Sequence, residues 1–292
     1  MVIPLLKACR PHQWIKNLFV VAPLVFARRI DDPPAAVRSA IAVVCFCLLS
    51  SAIYLLNDLV DLERDRAHPV KRFRPIASGA LPVGVARLAA YALAGGALMT
   101  SLVLDLLFAA VATGYLTLNL AYSFQLKRVP FVDVACIALG FLLRVLGGAF
   151  AIPVAPSVWL LGCTLLLAAL LGFGKRAHEL RIAGLKGGSQ RAVLERYRPG
   201  VLRGLLTVLA VLTVISYAAY TQSDHAQTFF GTRLLAVTIP FVAFGIGRFL
   251  WITNGTADAD SPTDSMLRDR PFLVNLLLYA AAVVTIIYRG RQ

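Results

Sequence analysis

The sequence predicts an all-α, polytopic membrane protein of about nine transmembrane helices. Three observations predict it. Hydrophobic residues make up 59% of the 292 and charged residues only 15%, with a mean hydropathy of +0.74. A water-soluble domain carries about 25% charge, so this apolar excess is too large for one soluble core. Apolar runs recur along the whole chain, most of them near the length of about 20 residues that crosses the hydrocarbon core. Lys and Arg gather in alternate connections between those runs.

The runs fall at 14–27, 37–56, 83–104, 106–124, 131–152, 157–174, 201–221, 234–252 and 272–288. The first is the weakest, being short and interrupted by Pro23. The third and fourth nearly fuse, with only Asp105 to mark a tight turn. Gly95, Gly96, Gly140, Gly147 and Gly148 lie inside runs, where small residues let helices approach closely in lipid. With the N-terminus inside, Lys and Arg favour the cytoplasmic connections by more than three to one. No signal-peptide cleavage pattern is legible around Lys7, Arg10 and Lys16. The chain therefore reads as one catalytic domain over 1–292, with long polar cytoplasmic connections at about 58–82 and 175–200 capping its site.

A net charge of +14 suggests nucleic acid in a soluble protein. Here the basic residues sit between apolar segments rather than on one periodic face, so a nucleic-acid partner is disfavoured. The five cysteines show no metal or redox spacing, and four lie in apolar runs as small hydrophobes. His12, His68, His178 and His225 form no ligand set, though His178 is a candidate for touching substrate. Asp258, Asp260 and Asp264 read as a solvated connection.

The strongest chemical signal lies at the end of the second run, in Asn57-Asp58-Leu59-Val60-Asp61-Leu62-Glu63-Arg64-Asp65. Asp58, Asp61 and Asp65 are three and four apart, so a continuing helix places them on one face. Stacked carboxylates repel unless a cation lies between them. Mg²⁺ suits such an oxygen-rich set, since it keeps waters and is shared with substrate phosphates. A merely solvated helix end is a poor account of three acids and an amide where a membrane segment meets its loop. Lys71, Arg72 and Arg74 follow within three helical turns, stiffened by Pro69 and Pro75. A cation clamp beside a metal is what a diphosphate requires; the competing reading is a positive-inside anchor.

Asn-Asp-x-x-Asp-x-x-x-Asp in this position resembles the first motif of the UbiA-type intramembrane prenyltransferase superfamily. The resemblance covers nearly the whole chain and implies helices bundled around a central cavity. Arg10-Pro11-His12-Gln13-Trp14-Ile15-Lys16-Asn17 and the stretch from Arg66 to Ala77 resemble one branch closely, the phosphoribosyltransferases that act on decaprenyl phosphate. That branch implies transfer from phosphoribosyl pyrophosphate to a polyprenyl phosphate, with release of pyrophosphate, for cell-wall arabinan. It also implies a bacterial inner-membrane location, a cytoplasmic active site and a possible homo-oligomer, a trimer. The family's aromatic prenyltransferases are expected to carry a second acidic motif after the sixth helix. Here that stretch is Gly172-Phe173-Gly174-Lys175-Arg176-Ala177-His178-Glu179, with one carboxylate and two cations. Replacing acids by Lys and Arg converts metal binding into direct phosphate binding.

On this reading Asn57, Asp58, Asp61 and Asp65 hold Mg²⁺, and Asp58, Asp61 and Lys16 serve catalysis. Lys71, Arg72, Arg74, Tyr122, Lys127, Lys175 and Arg176 are candidates for substrate phosphates, with Asp133, Glu179 and His178 as further contacts. Among Lys16, the Tyr122 and Lys127 pair and Asp133, the last carries the strongest competing reading, that of a helix N-terminal acid beside the macrodipole. Arg144 lies mid-segment and either pairs with a carboxylate or lines the lipid channel. Two alternatives remain: prenyl transfer from prenyl diphosphate to an aromatic or other acceptor, and transport of a lipid phosphate without bond cleavage.

Overall fold

The computed structural model describes residues 1–186, 194–255 and 262–289. Its helices are α1 (Val2–Cys9), α2 (Ala22–Phe26), α3 (Pro33–Val60), α4 (Leu62–Ala67), α5 (Val83–Leu104), α6 (Leu106–Phe124) and α7 (Val132–Ala151). They continue as α8 (Val158–Lys186), α9 (Pro199–Gln222), α10 (Asp224–Phe230), α11 (Ile239–Gly255), α12 (Pro262–Met266) and α13 (Arg270–Arg289). The described residues are helices and connections without a strand, and eight of the helices are long and apolar enough to cross a membrane. The protein is a multi-pass, all-α membrane protein.

The expected first span is not among the eight. Residues Pro11–Val21 form a 3₁₀ helix that runs into the short α2. A 3₁₀ helix rises about 2.0 Å per residue and an α-helix about 1.5 Å, so Pro11–Phe26 reaches about 30 Å, the thickness of the hydrocarbon core. Too short to span as an α-helix, the segment has the reach to span in this stretched form. The second correction concerns 175–200. The sixth run does not end at Gly174, because α8 continues through Lys186 and carries Lys175 to Glu179 on a helix. Asp258 and Asp260 lie outside the described residues, as do the side chains of Asp264 and His225.

The chain divides into two compact units: Met1–Phe124 with Gly140–Pro156, and Gln125–Leu139 with Ser157–Gln292. In the first, α3 is the central element. Asp32 caps its N-terminus, accepting a hydrogen bond from the Ala35 amide at 3.3 Å, and Pro33 and Pro34 occupy the first turn where a missing N–H costs nothing. The Arg29 guanidinium beside Asp32 holds its carboxyl below the usual range. Phe46, Leu49, Phe108, Ala112 and Tyr115 form the core around α3. Asp105 makes the tight turn between α5 and α6, its Oδ1 accepting from the Phe108 amide at 3.0 Å. Arg38 donates to the last carbonyls of two helices, Leu104 at 2.7 Å and Ala151 at 2.6 Å, satisfying acceptors that have no partner within their own helix.

Two close approaches fix the 3₁₀ segment in this unit. A methyl group on Gly148 would stand 2.0 Å from the Val20 carbonyl oxygen, so α7 meets that backbone only through a glycine. Beside it, Asn17 is fully buried and its Oδ1 accepts from Arg144 Nε at 2.8 Å. Arg144 also donates to the Tyr115 hydroxyl at 2.6 Å and the Gly140 carbonyl at 2.9 Å, with its guanidinium over the Tyr115 ring at 4.7 Å. Of the two readings for Arg144, a carboxylate partner or a place lining the lipid channel, the first is not met among the described residues: its partners are neutral acceptors and aromatic faces. Such a set holds a cation in apolar surroundings by dipoles rather than by a counter-charge.

In the second unit, Leu170, Leu206, Ala210, Ile246, Phe249 and Ile252 form a core among α8, α9 and α11. Gly174 admits the Phe249 ring, whose Cζ would lie 2.2 Å from an added methyl group. Asp269 caps α13 through the Phe272 amide (2.9 Å) and pairs with Arg248 through both oxygens, at 3.0 and 2.7 Å.

Candidate active site

The acidic motif folds as a helix end rather than as one uninterrupted face. α3 stops at Val60, Asp61 turns the chain at φ −90°, ψ 9°, and α4 restarts at Leu62. The 2.9 Å bond from the Asp61 amide to the Asn57 carbonyl, and the 2.8 Å bond from Asp65 to Asp61, carry the helical ladder across the junction. Asp58 and Asp65 turn inward and are 3% and 2% exposed, while Asp61 lies half-buried with Arg64 3.7 Å away. Asn57 is half-buried on the same turn.

Two guanidiniums meet the buried acids. Arg10 Nη2 donates to Asp58 Oδ1 at 2.6 Å, and Arg74 Nη1 donates to the same oxygen at 3.1 Å and to Asp65 Oδ2 at 2.6 Å. Arg10 ends α1 in the left-handed region at φ 53°, ψ 61°, a conformation that a non-glycine residue holds only when its surroundings demand it. Its guanidinium stacks on Tyr54 at 4.9 Å. The sequence reading counted Arg10 as part of a motif and missed this ion pair, 48 positions away in sequence.

The loop that follows is shaped by its own backbone. His68 Nδ1 accepts from the amides of Val70 and Lys71, both at 3.2 Å, and a 3₁₀ turn holds Lys71–Phe73. Lys71 is half-buried; Arg72 is exposed and lies over Phe73 at 4.8 Å. Lys16 donates to Gln13 at 2.5 Å on the 3₁₀ segment, and Tyr122 is half-buried near the end of α6.

The residues fit Mg²⁺ in its phosphate-sharing form. Among the described residues no three acids or histidines gather into a metal cage. The donors at the helix end are hard oxygens, however, and one cationic nitrogen already stands between Asp58 and Asp65. Two carboxylates completed by water and substrate phosphate is the arrangement Mg²⁺ favours.

In the second unit Arg176, a candidate phosphate ligand from the sequence, is engaged with two carboxylates. Arg176 is fully buried, its Nε 2.6 Å from Asp133 Oδ2 as an ion pair off the hydrogen-bonding direction, and its Nη1 is bound to Glu179. Asp133 is equally buried and accepts from the Tyr197 hydroxyl at 2.7 Å, while that hydroxyl accepts from the Phe131 amide at 2.6 Å. Phe131 is held at φ 65°. Asp133, Arg176 and Glu179 thus tie the start of α7 to α8, and His178 is buried at 1% exposure. Lys127 and Lys175 are half-buried. Burial, then the Asp133 carboxylate, pushes the Tyr197 hydroxyl up, so it stays protonated and donates. No spacing rule announces Tyr197.

Tyr197→Phe should leave the Phe131 amide without its acceptor and Asp133 without its donor, costing about 1–3 kcal/mol. Thermal melting in detergent tests this, and a variant that melts with the wild type removes the hydroxyl from the network.

Residues 18–193 match the family model of the UbiA prenyltransferase family. The chain belongs to that family. Curated relatives align with this UbiA-family chain over nearly its full length. A decaprenyl-phosphate phosphoribosyltransferase of Corynebacterium glutamicum is 35% identical over 97% of this chain and 86% of its own. One of Mycolicibacterium smegmatis is 34% identical over 99% and 93%. Among solved structures, a UbiA homolog from Archaeoglobus fulgidus bound to DMAPP and Mg²⁺ superposes with a TM-score of 0.69. It is 20% identical, over 97% of this chain and 98% of its own, which establishes the shared fold.

Proposed function

We propose that this protein transfers the 5-phosphoribosyl group of phosphoribosyl pyrophosphate to a polyprenyl phosphate of the decaprenyl type, releasing pyrophosphate. The observation that carries the reading is the occupation of the second acidic position. A buried Arg176 pairs with both Asp133 and Glu179 there, so these two acids are already engaged by a guanidinium rather than facing each other as an open pair for a second metal. The near full-length likeness to two relatives named for phosphoribosyl transfer points the same way.

Asp58 and Asp65, with Asn57 and Asp61 on the same helix end, would hold Mg²⁺, which supplies neutralisation of the leaving pyrophosphate. Arg10, Arg74, Lys71 and Arg72 bind donor phosphate oxygens as charge-assisted hydrogen-bond donors. Lys16, Tyr122, Lys127 and Lys175 are the remaining candidates for the donor's 5-phosphate and the lipid phosphate. In the reaction the ribose C1–O bond to pyrophosphate breaks and the electron pair leaves with pyrophosphate. A lipid phosphate oxygen forms the new bond to C1. That oxygen is ionised at neutral pH, so no residue is required to remove a proton from it. The cations of the helix end stabilise charge on the departing group as C1 gains oxocarbenium character. The bias of Lys and Arg supports a cytoplasmic side for this end, and the likeness to the bacterial phosphoribosyltransferases supports an inner-membrane location and a product of the kind that feeds arabinan synthesis.

Purified protein offered labelled phosphoribosyl pyrophosphate, polyprenyl phosphate and Mg²⁺ should yield a labelled lipid and free pyrophosphate. Consumption of prenyl diphosphate alone would reverse the choice of donor. Lipid phosphate binding with no bond cleavage from either donor would make the site a carrier's.

A further inference from the structure

Each unit of the protein contains a guanidinium bridging two carboxylates, and the two differ in one physical respect. Arg74 joins Asp58 to Asp65 through a single nitrogen, Nη1, at 3.1 and 2.6 Å, and its side chain is 30% exposed. Arg176 joins Asp133 to Glu179 and is not exposed at all. A cation held by both Asp58 and Asp65 must stand where Arg74 Nη1 stands, or within a few ångströms of it. Two positive charges at that distance, beside carboxylates 3% and 2% exposed, repel strongly. One of them has to leave. Arg74 is partly open to water on the connection that follows α4, whereas Arg176 is fully buried on α8.

We infer that Arg74 and a divalent metal ion compete for Asp58 and Asp65, so that metal entry releases Arg74 as a positioning cation for the donor diphosphate. The inference rests on the metal reading of the helix end above. Arg10 remains on Asp58, held by its left-handed backbone and by Tyr54, so the released charge is that of Arg74 alone. The second bridge is closed to exchange, and the chain takes one divalent ion per protomer at these two positions.

The competition is read without catalysis. Mn²⁺ binding to the full-length protein in detergent, followed by electron paramagnetic resonance without donor, should tighten about tenfold or more in Arg74→Gln. Arg74→Lys, which keeps the charge, should bind Mn²⁺ within about threefold of wild type. With phosphoribosyl pyrophosphate present the advantage of Arg74→Gln should disappear and the KM for donor should rise, because the diphosphate has lost its fork. Arg74→Gln binding no tighter than wild type overturns the competition. A stoichiometry of two overturns the closed second bridge. Should Arg74→Gln fail to fold, wild-type protein provides the answer through phenylglyoxal modification mapped by mass spectrometry. Mg²⁺ alone should speed modification of Arg74, and unchanged or slower modification overturns the proposal. If Asp58→Asn and Asp65→Asn both bind Mn²⁺ like wild type, the metal reading itself fails.

Discussion

Asp58→Asn should lower phosphoribosyl transfer on the order of 10³-fold or more while leaving a folded membrane protein. Asn matches Asp in volume and keeps one acceptor oxygen, so packing at this 3% exposed position survives. What disappears is the charge on which Arg10 and Arg74 converge at 2.6 and 3.1 Å, and with it one of the two carboxylates proposed to hold the metal. Removing one partner of a fully buried pair costs about 3–5 kcal/mol. Here the guanidiniums are 27% and 30% exposed and water takes over part of their solvation, so about 1–2 kcal/mol is expected. Turnover of labelled donor and a melt on the same preparation separate the two effects. Near-normal turnover in a protein with intact metal would remove Asp58 from the mechanism.

Gly148→Ala should destabilise the first unit by about 3 kcal/mol or more, beyond an ordinary overpacked core. The added carbon would lie 2.0 Å from the Val20 carbonyl oxygen and 2.8 Å from its carbon. Both are backbone atoms, which cannot rotate aside as a side chain does. Relief requires the 3₁₀ segment to move off α7, and that segment begins at the residue after Arg10. Activity should therefore fall together with the melting temperature. Gly95→Ala is the control: its added carbon meets nothing within 4 Å, and replacing a helix-interior glycine should stabilise by up to about 1 kcal/mol. If Gly148→Ala and Gly95→Ala melt alike, the close approach to Val20 is not a constraint on this fold.

How much of this was legible depends on the range of the interaction. Helix count and order follow from apolar runs, a local property set by the thickness of the bilayer. The form of the 14–27 run was not legible, because hydropathy does not report whether a segment coils as 3₁₀ or α, and the two differ in reach. The turn at Asp105 was readable because Asp both breaks a run and caps the next helix. The acidic helix end was readable for the same local reason, since spacings of three and four residues define a helical face.

Long-range pairing was not readable. Arg10 and Asp58, Arg144 and Asn17, and Tyr197 with Asp133 are 48, 127 and 64 positions apart. A cation such as Arg176 looks the same in sequence whether it awaits a phosphate or is already neutralised. The sequence by itself determined the solvent of this protein, its helical class and the place of its acidic cluster. Each of these is fixed by residue type at short spacing. Only the tertiary structure decided which guanidinium each carboxylate holds and which of those pairs still touches water. Burial and counter-charge belong to neighbours that chain order does not name.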